Sequence, residues 1–79
     1  MTVPIVLPDI GSDRVRFGQW LVECGECVAS GAIVAEAIFP GALVAIVAPS
    51  EGRIASLDVR ARQPLAAGQR LGTIAAATN

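Results

Sequence analysis

Cys24-Gly25-Glu26-Cys27 is the first place in this chain of 79 residues where residue type and spacing could do chemistry. A two-residue turn between two thiols could bring them within disulfide range, which suggests a redox dithiol or half of a zinc site. A thioredoxin-like dithiol takes its low thiol pKa from the start of a helix in a βαβ unit, and nothing around Cys24 and Cys27 reads as one. A structural zinc takes four Cys or His ligands, and two Cys with no His leave it short, so no metal is expected. The simplest reading is two small, semi-apolar residues filling a strand–turn–strand, with a reversible disulfide as the remaining use.

The charged residues narrow the chemistry further. Every cation is an Arg: Arg14, Arg16, Arg53, Arg60, Arg62 and Arg70. With no Lys and no His, Schiff-base lysines, imidazole acid–base catalysis, Ser-His-Asp triads and His-bound metals all drop out. The sequence therefore reads as non-enzymatic, with no catalytic residue. Arg60 and Arg62 fall on one strand parity, as do Arg14 and Arg16. They could form a local anion-binding patch, although solvated surface charge is the default for such residues. No Gly-rich phosphate loop or basic–aromatic interleaving accompanies them, so nucleic acid is not an expected partner. Asp9 and Asp13 share a loop but form no calcium-binding pattern.

A net charge of −1 provides no broad field for nucleic acid or an anionic membrane. The apolar runs are short and divided by Gly and Pro, far below the ~20 residues of a membrane span. Residues 1–20 show no basic start followed by an apolar stretch, so the expected setting is cytoplasmic. The chain is 53% hydrophobic but only 4% aromatic, which leaves the core to Val, Ile, Leu and Ala. A domain of this length buries roughly 60% of its unfolded surface.

The elements that must position these residues are short strands. Thr2 to Leu7 reads as the first, with Pro4 near its start marking an edge or a strand end. Pro8 to Asp13 is a loop by composition. In Val15 to Val22 neither parity is purely polar, which predicts neighbours on both faces for part of the strand. Ile33 to Phe39 and Leu43 to Val47 follow as strands. Arg53 to Arg60 is another, and the changed spacing after Ile54 predicts a bulge. Leu71 to Ala75 closes the fold. No window sustains helical periodicity, and Leu65-Ala66-Ala67 is confined between Pro64 and Gly68. Many short, closely spaced strands favour a barrel or sandwich.

A shift of 37 residues lays the chain on itself: Phe17 on Ile54, Trp20 on Leu57, Val22 on Val59, Val28 on Leu65. The same shift places Gly31 on Gly68, Val34 on Leu71 and Ala37 on Ile74. Two similar strand units sharing one core account for the pattern. The expectation is an all-β flattened barrel, a barrel-sandwich hybrid of two quasi-two-fold related half-units.

Between two of the apolar runs lies Ile38-Phe39-Pro40-Gly41-Ala42-Leu43. Pro40 presets φ for the second position of a turn and Gly41 tolerates φ > 0 at the third. A β-hairpin with Pro40-Gly41 at its tip follows, closed by Phe39 and Ala42, with Ile38 opposite Leu43 and Ala37 opposite Val44.

With these pieces in place the chain resembles a lipoyl domain of the biotinyl/lipoyl-attachment family, of the 2-oxo acid dehydrogenase acyltransferase type. The resemblance covers essentially the whole chain without gaps. It is carried by Pro8-Asp9-Ile10-Gly11, Trp20-Leu21-Val22, Gly25-Glu26, Val28, Gly31, Glu36, Val44, Ile46, Ala48-Pro49 with Gly52, Gly68 and Leu71. The family attaches its cofactor to the lysine of an Asp-Lys-Ala motif at a hairpin tip. Here those positions are Pro40-Gly41-Ala42, so Gly41 occupies the place of the attachment lysine. Amide attachment of lipoate or biotin needs an amine, and the only one in this chain is the N-terminus. The resemblance thus implies the fold and a structural role for Trp20, while no cofactor is expected.

Three readings of the tip stand side by side. It has drifted without a remaining role, or it docks a protein partner or a second copy through Ile38, Phe39, Pro40, Gly41 and Leu43, or Phe39 folds back to cap the barrel. Exposed apolar hairpins favour docking. The expected function is that of a lipoyl-like domain that cannot be lipoylated, a noncatalytic protein-interaction or structural module related to an acyltransferase chain. A lipoyl carrier domain and a thiol-redox module using Cys24 and Cys27 are the alternatives. Residues 1–75 form the domain, and residues 76–79 resemble the start of an Ala-rich linker.

Overall fold

Val, Ile and Leu in short runs, broken every few residues by Gly or Pro, have a β-strand as their natural state. The computed structural model, which describes residues 1–9 and 14–76, contains strands and turns only. They are β1 (Thr2–Val6), β2 (Val15–Trp20), β3 (Cys27–Val28), β4 (Ile33–Phe39), β5 (Ala42–Val47), β6 (Gly52–Leu57), β7 (Pro64–Leu65) and β8 (Arg70–Ala76). Two four-stranded antiparallel sheets result, one in the order β1-β8-β6-β3 and the other β5-β4-β2-β7. Ala76, placed in a linker by composition, still pairs with Gly52. Ile10 and Asp13 of the first loop, and residues 77–79, lie outside the described residues.

The expected repeat is the organising symmetry of the fold. Adding 37 to β2, β3 and β4 gives the bounds of β6, β7 and β8, and the sheet orders interconvert under the same operation. The turn bonds repeat as well. Leu21 N–H donates to Val34 C=O at 2.8 Å, and Asp58 N–H donates to Leu71 C=O at 2.8 Å. The units also clasp each other: Gly25 N–H donates to Ile54 C=O while Arg62 N–H donates to Phe17 C=O, both at 2.8 Å. Each half therefore satisfies backbone groups of the other, as buried strand ends require.

The core lies between the sheets and draws on both units. Phe17 and Ile54, Val34 and Leu71, Ala37 and Ile74, Ile5 and Ile46 are all buried. Fully burying a side chain of this size stabilises by about 1.5–3 kcal/mol, and no polar or charged residue among those described is buried with them. The all-β barrel-sandwich hybrid expected from sequence forms in its sandwich-like version, with the barrel left open. Each sheet ends on one side in a strand of two residues, β3 or β7, which offers too few ladder bonds for closure.

Val15 to Val22 was expected to have neighbours on both faces, yet β2 has one core face throughout. A register shift between Phe17 and Gln19 turns both Phe17 and Trp20 inward, three residues apart, and leaves Arg16 and Gln19 exposed. The equivalent shift between Ile54 and Ser56 is the bulge foreseen from spacing. Arg60 and Arg62, expected on one strand parity, share none, because β6 ends at Leu57. Arg62 sits in a turn with φ 69°, the position filled in the other unit by Gly25 at φ 90°.

Candidate functional site

The hairpin forms with the register read from sequence: Phe39 opposite Ala42, Ile38 opposite Leu43, Ala37 opposite Val44. Pro40-Gly41 makes the connection, with Gly41 at φ 82°, the left-handed conformation that a third turn position after Pro requires. A Cβ at Gly41 would meet no heavy atom within 4 Å. Space is thus open at the tip, and the conformation alone disfavours a side chain there, by about 1–2 kcal/mol.

Neighbouring residues at the tip face different ways. Ile38 and Leu43 are 42% and 63% exposed, forming an apolar pair on the outer face of the sheet. Phe39 points inward and packs, partly buried, against the core cluster. The capping arrangement and an exposed apolar pair therefore coexist on one hairpin. Beside the tip lies an open concavity of about 620 Å³, lined by Arg14, Val15, Arg16, Ile38, Phe39, Pro40 and Gly41. The Arg16 guanidinium donates to the Arg62 carbonyl at 3.1 Å, tying the mouth of this concavity to the turn before β7.

A second hollow of about 280 Å³ runs along the outer face between Gly18, Gln19, Glu36, Ile38 and Leu43. At Gly18, β2 and β4 approach so closely that a Cβ would lie 2.8 Å from the Glu36 carbonyl oxygen. Gln19 Nε2 donates to Glu36 Oε1 at 2.8 Å, so the Glu36 carboxylate is already held.

Cys24 and Cys27 are not brought to the tip. Cys24 lies in the turn after β2, Cys27 opposite Arg53 on β3, and both are free, exposed thiols. The turn is held by Glu26 N–H to Glu23 C=O at 3.0 Å and by Arg53 Nη1 to Gly25 C=O at 3.1 Å. Among the described residues no group of three or more His, Cys, Asp or Glu is placed to hold a metal ion. Both thiols are expected to react with an alkylating agent to the same extent with and without reductant. A thiol count that rises on reduction would instead establish the disulfide.

Trp20 sits half-buried, 5.1 Å from the Phe17 ring centroid, with Nε1 donating to the Val59 carbonyl at 3.2 Å. Its role is packing. Sequence reading missed the two-residue strands β3 and β7. The repeat was the signal for them, since Val28 aligned with Leu65 beside matched glycines at Gly31 and Gly68. No helix among the described residues is long and apolar enough to cross a membrane. In comparison with known proteins, no family model and no curated sequence matches the chain.

Proposed function

We propose that this chain is a lipoyl-like domain that cannot take a lipoyl group and works as a noncatalytic protein-interaction or structural module. The observation that carries the reading is the tip. A two-residue Pro40-Gly41 turn stands where an attachment lysine belongs in the resembled family, and the chain contains no Lys to replace it. The two related sheets and the protruding hairpin agree with such a scaffold. What the tip offers in place of an amine is contact surface. Ile38 and Leu43 are opposite one another and exposed, while Phe39 anchors the turn against the core and limits its freedom. A pre-ordered apolar surface loses little conformational entropy when it docks, which is the usual requirement for a small contact to bind.

By the same reading the setting is an acyltransferase-related chain of a 2-oxo acid dehydrogenase complex in the cytoplasm. Incubation with a lipoate ligase, lipoate and ATP, followed by intact-mass measurement, is the direct test. The mass is expected to stay that of the unmodified chain. Addition of one lipoyl group would return the domain to the carrier class and end this proposal.

A further inference from the structure

We propose that β5 is a self-association edge, pairing antiparallel with β5 of a second copy about a two-fold axis through Ala45. The proposal supplies the interaction reading with its partner and rests on that reading. β1, β3, β5 and β7 end the two sheets, and β3 and β7 are only two residues long. An exposed strand edge presents unpaired N–H and C=O groups, which folded proteins guard with Pro, charge, bulges or brevity.

β1 is guarded and β5 is not. The two strands are equivalent under the internal symmetry: Pro4 pairs with Thr73 on β8, and Ala45 pairs with Glu36 on β4, residues 37 apart. Pro4 therefore occupies in β1 the place that Ala45 holds in β5. The sequence of β5, Ala42-Leu43-Val44-Ala45-Ile46-Val47, contains no charge, no Pro and no Gly. Its outer edge makes no backbone hydrogen bond to any other segment among the described residues.

The direction of each main-chain group follows from the ladder. Ala76 N–H donates to Met1 C=O at 2.9 Å, so Met1 bonds inward to β8, and in an antiparallel pair inward and outward residues alternate. Thr2 and Pro4 consequently face outward, and the missing N–H of Pro4 closes that edge. By the symmetry, Leu43, Ala45 and Val47 present their N–H and C=O groups outward from β5. Ala48 confirms the alternation from the other end, donating inward to Ala32 C=O at 2.8 Å.

Register follows from side-chain parity. Residues directly opposite in a pair share a face, so their numbers must sum to an even value. Centring on Ala45 places Leu43 against Val47 of the second copy, Ala45 against Ala45, and Val44 against Ile46. Every outward main-chain group of Leu43, Ala45 and Val47 then has a partner. Leu43 and Val47, 63% and 48% exposed, form cross-strand apolar pairs on the outer face. Glu36, opposite Ala45, lies on β4, one strand back from the edge, and its carboxylate accepts from Gln19 Nε2 at 2.8 Å. The product is a continuous eight-stranded sheet with Ala45 at its centre.

The experiment uses the whole chain. Sedimentation equilibrium up to millimolar concentration is expected to show a reversible dimer for the natural sequence, since a single edge contact is a small interface. Ala45→Pro is expected to abolish it while keeping the β-sheet circular dichroism, because the fold already accommodates Pro at the equivalent position of β1. Should that variant fail to fold, Ala45→Lys, whose side chain reaches solvent, gives the same reading. With Cys24 and Cys27 replaced by Ser, Ala45→Cys is expected to cross-link to a covalent dimer under mild oxidation, since the ~5.5 Å Cα separation of a hydrogen-bonded pair lies within disulfide range. A natural chain that stays monomeric, or a dimer that survives both Ala45 variants, overturns the edge pairing and leaves the non-lipoylated reading standing. A lipoyl mass addition overturns that reading instead, whatever the sedimentation shows.

Discussion

Phe17→Ala is expected to lower the unfolding free energy by about 3–5 kcal/mol. Phe17 is 1% exposed and is the largest fully buried side chain of the domain. Its backbone belongs to the clasp between the two units, donating to Gln63 C=O and accepting from Arg62 N–H, both at 2.8 Å. Removing the ring leaves a cavity at the point where β2 meets β7, and nearby strands cannot collapse into it without breaking those bonds. Domains of this length have roughly 0.05–0.15 kcal/mol of stability per residue, so the loss consumes much of the total. Urea unfolding followed by Trp20 fluorescence measures it, since Trp20 is the sole Trp and lies 5.1 Å from the ring removed. The midpoint should fall steeply with little change in slope. A loss below about 1 kcal/mol would mean that the core is not shared between the units at this residue.

The internal symmetry explains both what the sequence revealed and what it hid. Spacing of 37 between Phe17 and Ile54, or between Val34 and Leu71, was legible because each pair must fill equivalent halves of one core. The Pro40-Gly41 turn was legible because few residues satisfy its backbone angles. Parity in β2 was not, because a bulge adds a residue to one strand, and the signal for it lay in β6, where Ile54 and Leu57 carry the same spacing. Arg62 misled for a related reason. Its φ of 69° belongs to the turn rather than to arginine, and only its repeat counterpart, Gly25, announces the turn.

At the tip, composition identified the hairpin and the missing amine but could not divide inward from outward side chains. Ile38 and Phe39 look alike in sequence, and only the β4 register sends one to solvent and the other to the core. The unguarded edge of β5 was invisible for a different cause. Edge status is a property of sheet order, which depends on contacts far apart in the chain. Once the order is known, Pro4 and Ala45 can be compared, and the asymmetry between the two edges stands out as a difference of one residue type.

Gly72→Ala tests how far that symmetry extends into packing, and it is expected to cost about 1–3 kcal/mol as overpacking does. A Cβ at Gly72 would lie near the Ser56 carbonyl oxygen and 3.1 Å from Cη2 of Trp20. Neither neighbour yields easily. Ser56 belongs to the β6–β8 ladder, and the indole is fixed by its bond to the Val59 carbonyl. The repeat position of Gly72 is Ala35, which carries a methyl at 0% exposure, and the repeat position of Trp20 is Leu57. The contact of Trp20 in one unit with Gly72 in the other thus combines a large side chain with Gly, and the repeat-equivalent positions, Leu57 and Ala35, combine a smaller one with Ala, as close packing at constant density requires. The double variant Trp20→Leu with Gly72→Ala should therefore be more stable than the sum of its single losses by about 0.5 kcal/mol or more. Urea midpoints of the four proteins decide the matter, read by circular dichroism because the indole is lost. Strict additivity would show that the Ser56 carbonyl alone sets the cost, and that the two units reached their volumes independently.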